Sequence, residues 1–271
     1  MEAQGPFRNF ALVAVVFLGL STTLHLALAQ QASLPDLEEI LLRLQGNLQH
    51  YQTQVPSFFC DEHVVSLEDS GKHRQSTVTD SIFRLKRTSS SNHGEVLSES
   101  REVKAVNGSP ADSGNLRGPV VLAGVFSHGL DTVSLKQKEC MQYALQPARS
   151  NQAGSSYVVQ FISLPGSRGR SGCVLKEEGT GRVLIDPASM QIKHMDLMAP
   201  HHAILPGVVG VWKISIDYAP VLLGGQSFWM PSTITSTAAP NDGFDSTTWS
   251  FTARYSNYHK LEVTSHIVPV R

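Results

Sequence analysis

Between Met190 and His202 the chain gathers Met190, His194, Met195, Met198, His201 and His202. Thioethers beside imidazoles are a ligand set that can hold copper. A plainer use also fits: Met190 and Met195 as fillers of irregular core gaps, and His201-His202 in a loop bounded by Pro200 and Pro206. No Cys-x-x-Cys or His-Glu-x-x-His occurs, which removes the common zinc spacings. Asp61-Glu62-His63 is a compact acid–imidazole run. On a strand, however, neighbours point to opposite faces, so only Asp61 and His63 can share one. Nucleophile chemistry finds no Gly-x-Ser-x-Gly elbow; Ser171, in Gly-Arg-Ser-Gly-Cys, lacks the second glycine at the right offset. Glu38-Glu39 and Glu177-Glu178 are adjacent carboxylates expected to be solvated, and no glycine loop that could cradle a phosphate precedes a helix. No catalytic residue, metal ligand or cofactor is therefore assigned, and the chain is read as not an enzyme. Asn107-Gly108-Ser109 matches a glycosylation acceptor but is read as a tight hairpin turn.

The apolar residues are more informative. Trp212, Ile214, Ile216 and Tyr218 alternate with Lys213, Ser215 and Asp217, and Phe228 and Trp229 follow on the next segment. Leu37, Ile40, Leu41, Leu44, Leu48 and Tyr51 fall at helical spacing and make one stripe. The expected helix runs from Leu34 to Gln52, with Ser33 as cap, Pro35 in the first turn and Asp36 three after the cap; Val55-Pro56 ends it. From Phe58 onward the pattern has period two, punctuated by Ser70-Gly71, Asn107-Gly108, Asp186-Pro187, Gly224-Gly225 and Asn257. Twelve strands are expected: Phe58–Leu67, Ser76–Arg87, Glu95–Val106, Ser134–Gln146, Tyr157–Leu164, Gly172–Glu177, Arg182–Asp186, Gln191–Met198, Val211–Tyr218, Gln226–Thr237, Ser246–Tyr255 and Lys260–Val268. Pro119–Leu130 lacks strict alternation and reads as a short helix over an open end of the sheet. The order is not βαβ, so a parallel nucleotide-binding sheet is excluded. What fits is a mainly β (α+β) chain: a curved antiparallel half-barrel with the N-terminal amphipathic helix packed on its concave face. A β-sandwich is the alternative. Such a trough has more inner surface than one helix can fill, and the uncovered part would be an apolar groove. Its expected lining is Leu37, Leu41, Leu44, Leu48, Trp212, Ile214, Ile216, Tyr218, Phe228 and Trp229.

Residues 1–29 have the form of a secretory signal peptide: Arg8, an apolar run from Phe10 to Leu28, and Ala27-Leu28-Ala29 before a cleavage point at Gln30. That leaves 30–271 as one expected domain, exported to the periplasm or secreted, with no later run long enough to span a bilayer. Formal net charge is −1, which argues against nucleic acid, whose readers carry a basic stripe. An oxidising compartment permits a disulfide among Cys60, Cys140 and Cys173. Cys60–Cys140 is the expected pair, because both lie on strand-like segments beside apolar or aromatic neighbours. Cys173, in a glycine-rich loop, would keep its thiol; all three unpaired, as small buried hydrophobes, is the other reading.

Three segments carry a family resemblance. Gly181–Pro187 with Met190-Gln191-Ile192 resembles a strand, "Asp-Pro" turn and returning strand. Ile216-Asp217-Tyr218 through Gly225, Phe228 and Pro231 resembles a "strand, Gly, aromatic, Pro" hairpin. Tyr255–Val263 resembles a terminal hairpin before a last strand. Together with the order of leader, helix and long meander, they resemble the LolA/LolB-like superfamily of outer-membrane lipoprotein carriers and sorting proteins. The chain is also similar to exported proteins of soil bacteria with FFCDEHVV-like and VLAGVFSHGL-like segments. The resemblance implies an apolar-cavity protein without catalytic residues, whose partner is a hydrophobic ligand (a lipid, an acyl chain or a lipoprotein). An envelope interaction module with a self-filled sheet, and a metal or enzymatic protein using 190–202, are the alternatives.

Overall fold

The computed structural model describes residues 35–90, 94–111, 125–146, 156–241 and 247–261. The leader 1–29, the first part of the Pro119–Leu130 segment and most of Lys260–Val268 lie outside the described residues. Helix α1 spans Leu37–Gln54, and its cap is Asp36, whose side chain accepts from the Glu39 amide at 2.8 Å. The cap is thus Asp36 rather than Ser33: a carboxylate satisfies the same orphan donor and suits the positive end of the helix. Val55 returns its amide to the Tyr51 carbonyl, and Pro56 stops the turn there.

Eleven strands follow: β1 (Phe58–Asp69), β2 (Arg74–Ser90), β3 (Gly94–Val106), β4 (Ser109–Pro110), β5 (Met141–Gln146), β6 (Tyr157–Ser163), β7 (Thr180–Ile185), β8 (Ile192–Leu205), β9 (Val208–Leu223), β10 (Gln226–Pro240) and β11 (Thr248–Lys260). They form one open, curved antiparallel sheet in the order β4-β3-β2-β1-β11-β10-β9-β8-β7-β6-β5. Each neighbour is a sequence neighbour except one: β1 pairs with β11, which joins an N-terminal meander to a C-terminal one. This is the half-barrel expected from the period-two pattern. Alternation along β9 sends Ile214, Ile216 and Tyr218 into the core and Lys213 and Asp217 outward.

Turn chemistry follows the residues. Asn107 and Gly108 both have positive φ and close the two-residue β3–β4 hairpin; Gly224-Gly225 does the same between β9 and β10. Asn107 also accepts from the Val78 amide through its side chain. Asn257 departs from its expected role. It sits inside β11 at a bulge, where the register to β1 shifts between Phe59 and Asp61. Asparagine tolerates the left-handed region that a bulge demands, so Tyr255–Lys260 continues one strand instead of turning back. Gly172–Glu177 is a loop, not a strand, and the first part of Ser134–Gln146 forms a 3-10 turn at Leu135–Gln137. His201 and His202 lie in strand β8, not in a loop; the strand absorbs Pro200 through a register shift between Ala199 and His202.

The expected disulfide is corrected. Cys140 bonds Cys173 with Cα atoms 5.6 Å apart, and Cys60 is a buried free thiol. Cys60 points into the core from β1, opposite Phe83 on β2, and its burial, with Glu62 and Asp61 nearby, pushes its thiol pKa up. The glycine-rich loop that was expected to leave Cys173 free is what brings it to Cys140. Gln137 accepts from the Val174 amide and donates to the Gly172 carbonyl beside the bond.

Candidate functional site

The inner face of the sheet has two covers. The first is α1, whose Ile40, Leu41, Leu44, Leu48 and Tyr51 are buried. It is fixed at several points. Asn47 donates to the Met190 carbonyl at 2.6 Å, and Arg87 donates to the carbonyls of Gln52 and Val55 at 2.7 Å each. The second cover is the segment beginning with a short helix, α2 (Val125–His128), and continuing as a 3-10 turn over Gly129–Thr132. Phe126 enters an aromatic cluster, 4.6 Å from Phe83, 4.9 Å from Tyr255 and 6.0 Å from Phe58 between ring centres. Gly129 passes so close to the sheet that a Cβ there would lie 2.7 Å from the Tyr218 hydroxyl and 3.1 Å from Ile216. Only glycine lets the chain cross at that point.

A buried ionic cluster anchors this second cover. Arg101 Nε donates to both oxygens of Glu62 at 2.9 and 3.0 Å, its Nη1 lies 3.7 Å from Glu99, and its guanidinium sits 4.9 Å over the Phe83 ring. Glu62 and Glu99 side chains are 1% and 6% exposed. Burial works against the charge on Arg101, but Glu62 and Tyr255 together more than offset it, so the guanidinium is held above its ordinary range. Glu99 in turn accepts from both the amide and the hydroxyl of Ser127, at 2.8 and 2.7 Å. Glu62, Glu99 and Arg101 were not singled out from sequence beyond the Asp61-Glu62-His63 run. There the two faces separate as expected: His63 pairs with Asp80 at 2.7 Å and Asp61 accepts from Asn257, while Glu62 points inward.

Between the two covers and strands β8 and β9 lies an open cleft of about 550 Å3. Met195, Leu197, Trp212, Ile214 and Ile216 form its floor; Leu48 and Gln52 of α1, Val125, Gly129, Asp131, Thr132, Ser134, Lys136 and Gln137, and Gly172 to Lys176 form its walls. Of the ten residues expected to line a groove, Leu48, Trp212, Ile214 and Ile216 meet here. Leu44, Leu48, Phe228 and Trp229 border a separate space of only about 30 Å3 under the helix. Leu41 and Tyr218 are buried in packing and Leu37 is half-buried. The space directly beneath the helix is therefore filled, and the hollow lies beside it. The reason is that the 125–137 segment takes part of the inner surface. Trp212 is oriented by its indole N–H, which donates to Ser236 at 2.8 Å, and by His202, whose ring centre is 4.9 Å away. His202 also bonds Glu177 at 2.7 Å, which ties β8 to the loop that carries the cleft wall.

The His/Met segment is dispersed. Met190 and Met195 are buried, His202 takes Glu177, and His194 faces outward between Asp217 (2.6 Å) and Asp196 (3.1 Å). Among the described residues no three His, Cys, Asp or Glu side chains converge as a metal site. Ser215, His194 and Asp217 stand in triad order, yet Ser215 donates to Asp196 at 2.9 Å and lies 3.4 Å from His194 Nε2. Both ring nitrogens of His194 face carboxylates, so neither is placed to take the serine proton. Burial raises the Asp196 pKa, but hydrogen bonds from Arg182, Ser215 and His194 outweigh it and hold Asp196 below its usual range. Asp196, Arg182 and Ser215 line part of an open groove of about 510 Å3 on the outer face. No helix among the described residues is long and apolar enough to cross a membrane.

No protein-family model matches the sequence, and no curated protein matches it. Among solved structures the chain is similar to a LolA superfamily protein from Nitrosomonas europaea, at 12% identity and TM-score 0.36 over 82% of this chain and 93% of that one. It is also similar to a DUF1329 family protein from Desulfovibrio piger, at 10% identity and TM-score 0.39 over 83% and 95%. A third is a domain assigned to outer membrane lipoprotein sorting from Vibrio parahaemolyticus, at 10% identity and TM-score 0.36 over 80% and 90%.

Proposed function

We propose that this chain is an exported, non-catalytic carrier that holds one hydrophobic group, an acyl chain or the acylated end of a partner, in the cleft between α1, the 125–137 segment and β8–β9. In this reading residues 1–29 direct export and 30–271 form one binding domain in the periplasm or outside the cell. The observation that carries the reading is the cleft itself. Its floor of Met195, Leu197, Trp212, Ile214 and Ile216 is apolar and borders open space beside two fixed covers. Its volume lies in the range of about 300–1,000 Å3 typical of small-ligand sites. Burying about 300 Å2 of acyl surface at ~25 cal/mol per Å2 contributes about 7 kcal/mol before ordering costs. The cleft is open at the side, so loading leaves α1 and its bonds to Met190 and Arg87 in place.

The test is titration of the mature chain with an environment-sensitive apolar dye, followed by competition with an acyl lipid. Saturable binding is expected, competed by lipid and weakened at least about tenfold by Leu175→Trp, which fills the cleft from its half-buried wall. Lack of saturable binding rejects the carrier reading.

A further inference from the structure

We propose that the group held in the cleft is an anionic single-chain amphiphile, a long-chain carboxylate whose tail lies on the β8–β9 floor and whose head meets Lys136 and Lys176. This rests on the carrier reading above and names its ligand class. The charged side chains lining the cleft are Asp131, Lys136 and Lys176. Asp131 is engaged by Gln52, which donates to it at 2.9 Å from α1. The cations nearby have carboxylates of their own: Lys138 pairs with Glu38 at 3.3 Å and Arg170 with Glu139 at 3.2 Å. Lys136 and Lys176 differ. Both are exposed, and among the described residues neither forms an ion pair; Lys176 donates only to the Arg170 carbonyl at 3.3 Å. Glu177, next in sequence, is committed to His202.

The cleft thus combines an uncharged floor with walls that carry two exposed ammonium groups, neither ion-paired among the described residues, against the single carboxylate of Asp131. A carboxylate head is attracted by these cations, a neutral head gains nothing from them and a cationic head is repelled. The lysines come from different elements, the 3-10 turn after the second cover and the loop closed by the disulfide.

The experiment is displacement of a bound solvatochromic dye from the full mature chain by dodecanoate, dodecanol and dodecylammonium, all below their aggregation thresholds. Exposed ion pairs contribute modestly, so dodecanoate is expected to bind about 3- to 20-fold tighter than dodecanol. That advantage should narrow as salt is raised. In Lys136→Ala/Lys176→Ala the ratio of dodecanoate to dodecanol affinity falls to about one; in Lys136→Glu/Lys176→Glu the order reverses in favour of dodecylammonium. Equal displacement by carboxylate and alcohol in the native chain overturns this inference and leaves the carrier reading intact. A carboxylate advantage that survives loss of both lysines also overturns it. No displacement by any of the three overturns the carrier reading with it.

Discussion

Arg101→Met is the sharpest test of how the inner face is held together. The substitution keeps an unbranched apolar stem and removes the guanidinium that bonds Glu62 and lies 3.7 Å from Glu99. Those side chains are 1% and 6% exposed, so water cannot take over its role. Two hydrogen bonds to Glu62 are lost along with the contact over Phe83. Breaking a buried pair by removing one partner typically costs about 3–5 kcal/mol, because an uncompensated charge stays inside. That is a large share of a usual folding stability of about 5–15 kcal/mol. In Glu62→Met/Arg101→Met the stranded Glu62 charge goes too, while the Glu99 carboxylate remains, still accepting from the Ser127 amide and hydroxyl. The double variant is therefore expected to be more stable than Arg101→Met alone. The assay is urea unfolding followed by fluorescence of the three tryptophans at neutral pH. A loss below about 1 kcal/mol for Arg101→Met, or a double variant whose loss equals the sum of the single losses, refutes the reasoning. In the first case the cluster is solvated; in the second the residues do not interact.

Gly181→Ala drives a Cβ into the Asp196 carbonyl and the Phe161 ring, so thermal unfolding should show a loss of about 1–3 kcal/mol or more. Gly46→Ala, on the exposed side of α1 with nothing within 4 Å, should raise stability by about 0.5–1 kcal/mol in the same measurement. Cys140→Ser/Cys173→Ser opens a link between positions 33 apart and should cost about 2–4 kcal/mol. It should also weaken dye binding, since Cys173 to Lys176 form a cleft wall; unchanged affinity would show that the wall holds without the bond. The Asp196 carboxylate has a depressed pKa in the folded chain, so its stabilisation is present above the unfolded value of about 3.9 and is lost as pH falls through the folded one. Urea midpoints of the native chain and Asp196→Asn should therefore differ at pH 6 and converge toward pH 3.

The strand meander and helix were legible because period two and period 3.6 are local signals. Leu44 and Leu48 announce a stripe, and Ile214-Ile216-Tyr218 a sheet face, without knowledge of what they touch. The turns at Asn107-Gly108 and Gly224-Gly225 were legible for the same reason. The site was less so. Trp212, Ile214 and Ile216 were found on the inner face, but which part of that face stays open depends on where the 125–137 segment lies, and that is set by Glu99 reaching Ser127 and by Gly129 passing Tyr218. The Glu62–Arg101 pair joins β1 to β3 across β2, a contact that no spacing in the sequence encodes. Cys140–Cys173 was misread because strand character was taken as the guide, whereas geometry of approach decides a disulfide; the fold of the loop, not its composition, supplies that approach.

The pairing of β1 with β11 has a kinetic consequence. Asp61 and Asn257, joined by a side-chain hydrogen bond, are 196 positions apart. The two meanders can each zip up from nearest-neighbour hairpins, but their seam cannot form until β11 has been made. High contact order of this kind slows folding, because loop closure must be achieved before the distant contact rewards it. The seam between the two meanders is therefore expected to be the last of these strand pairings to form.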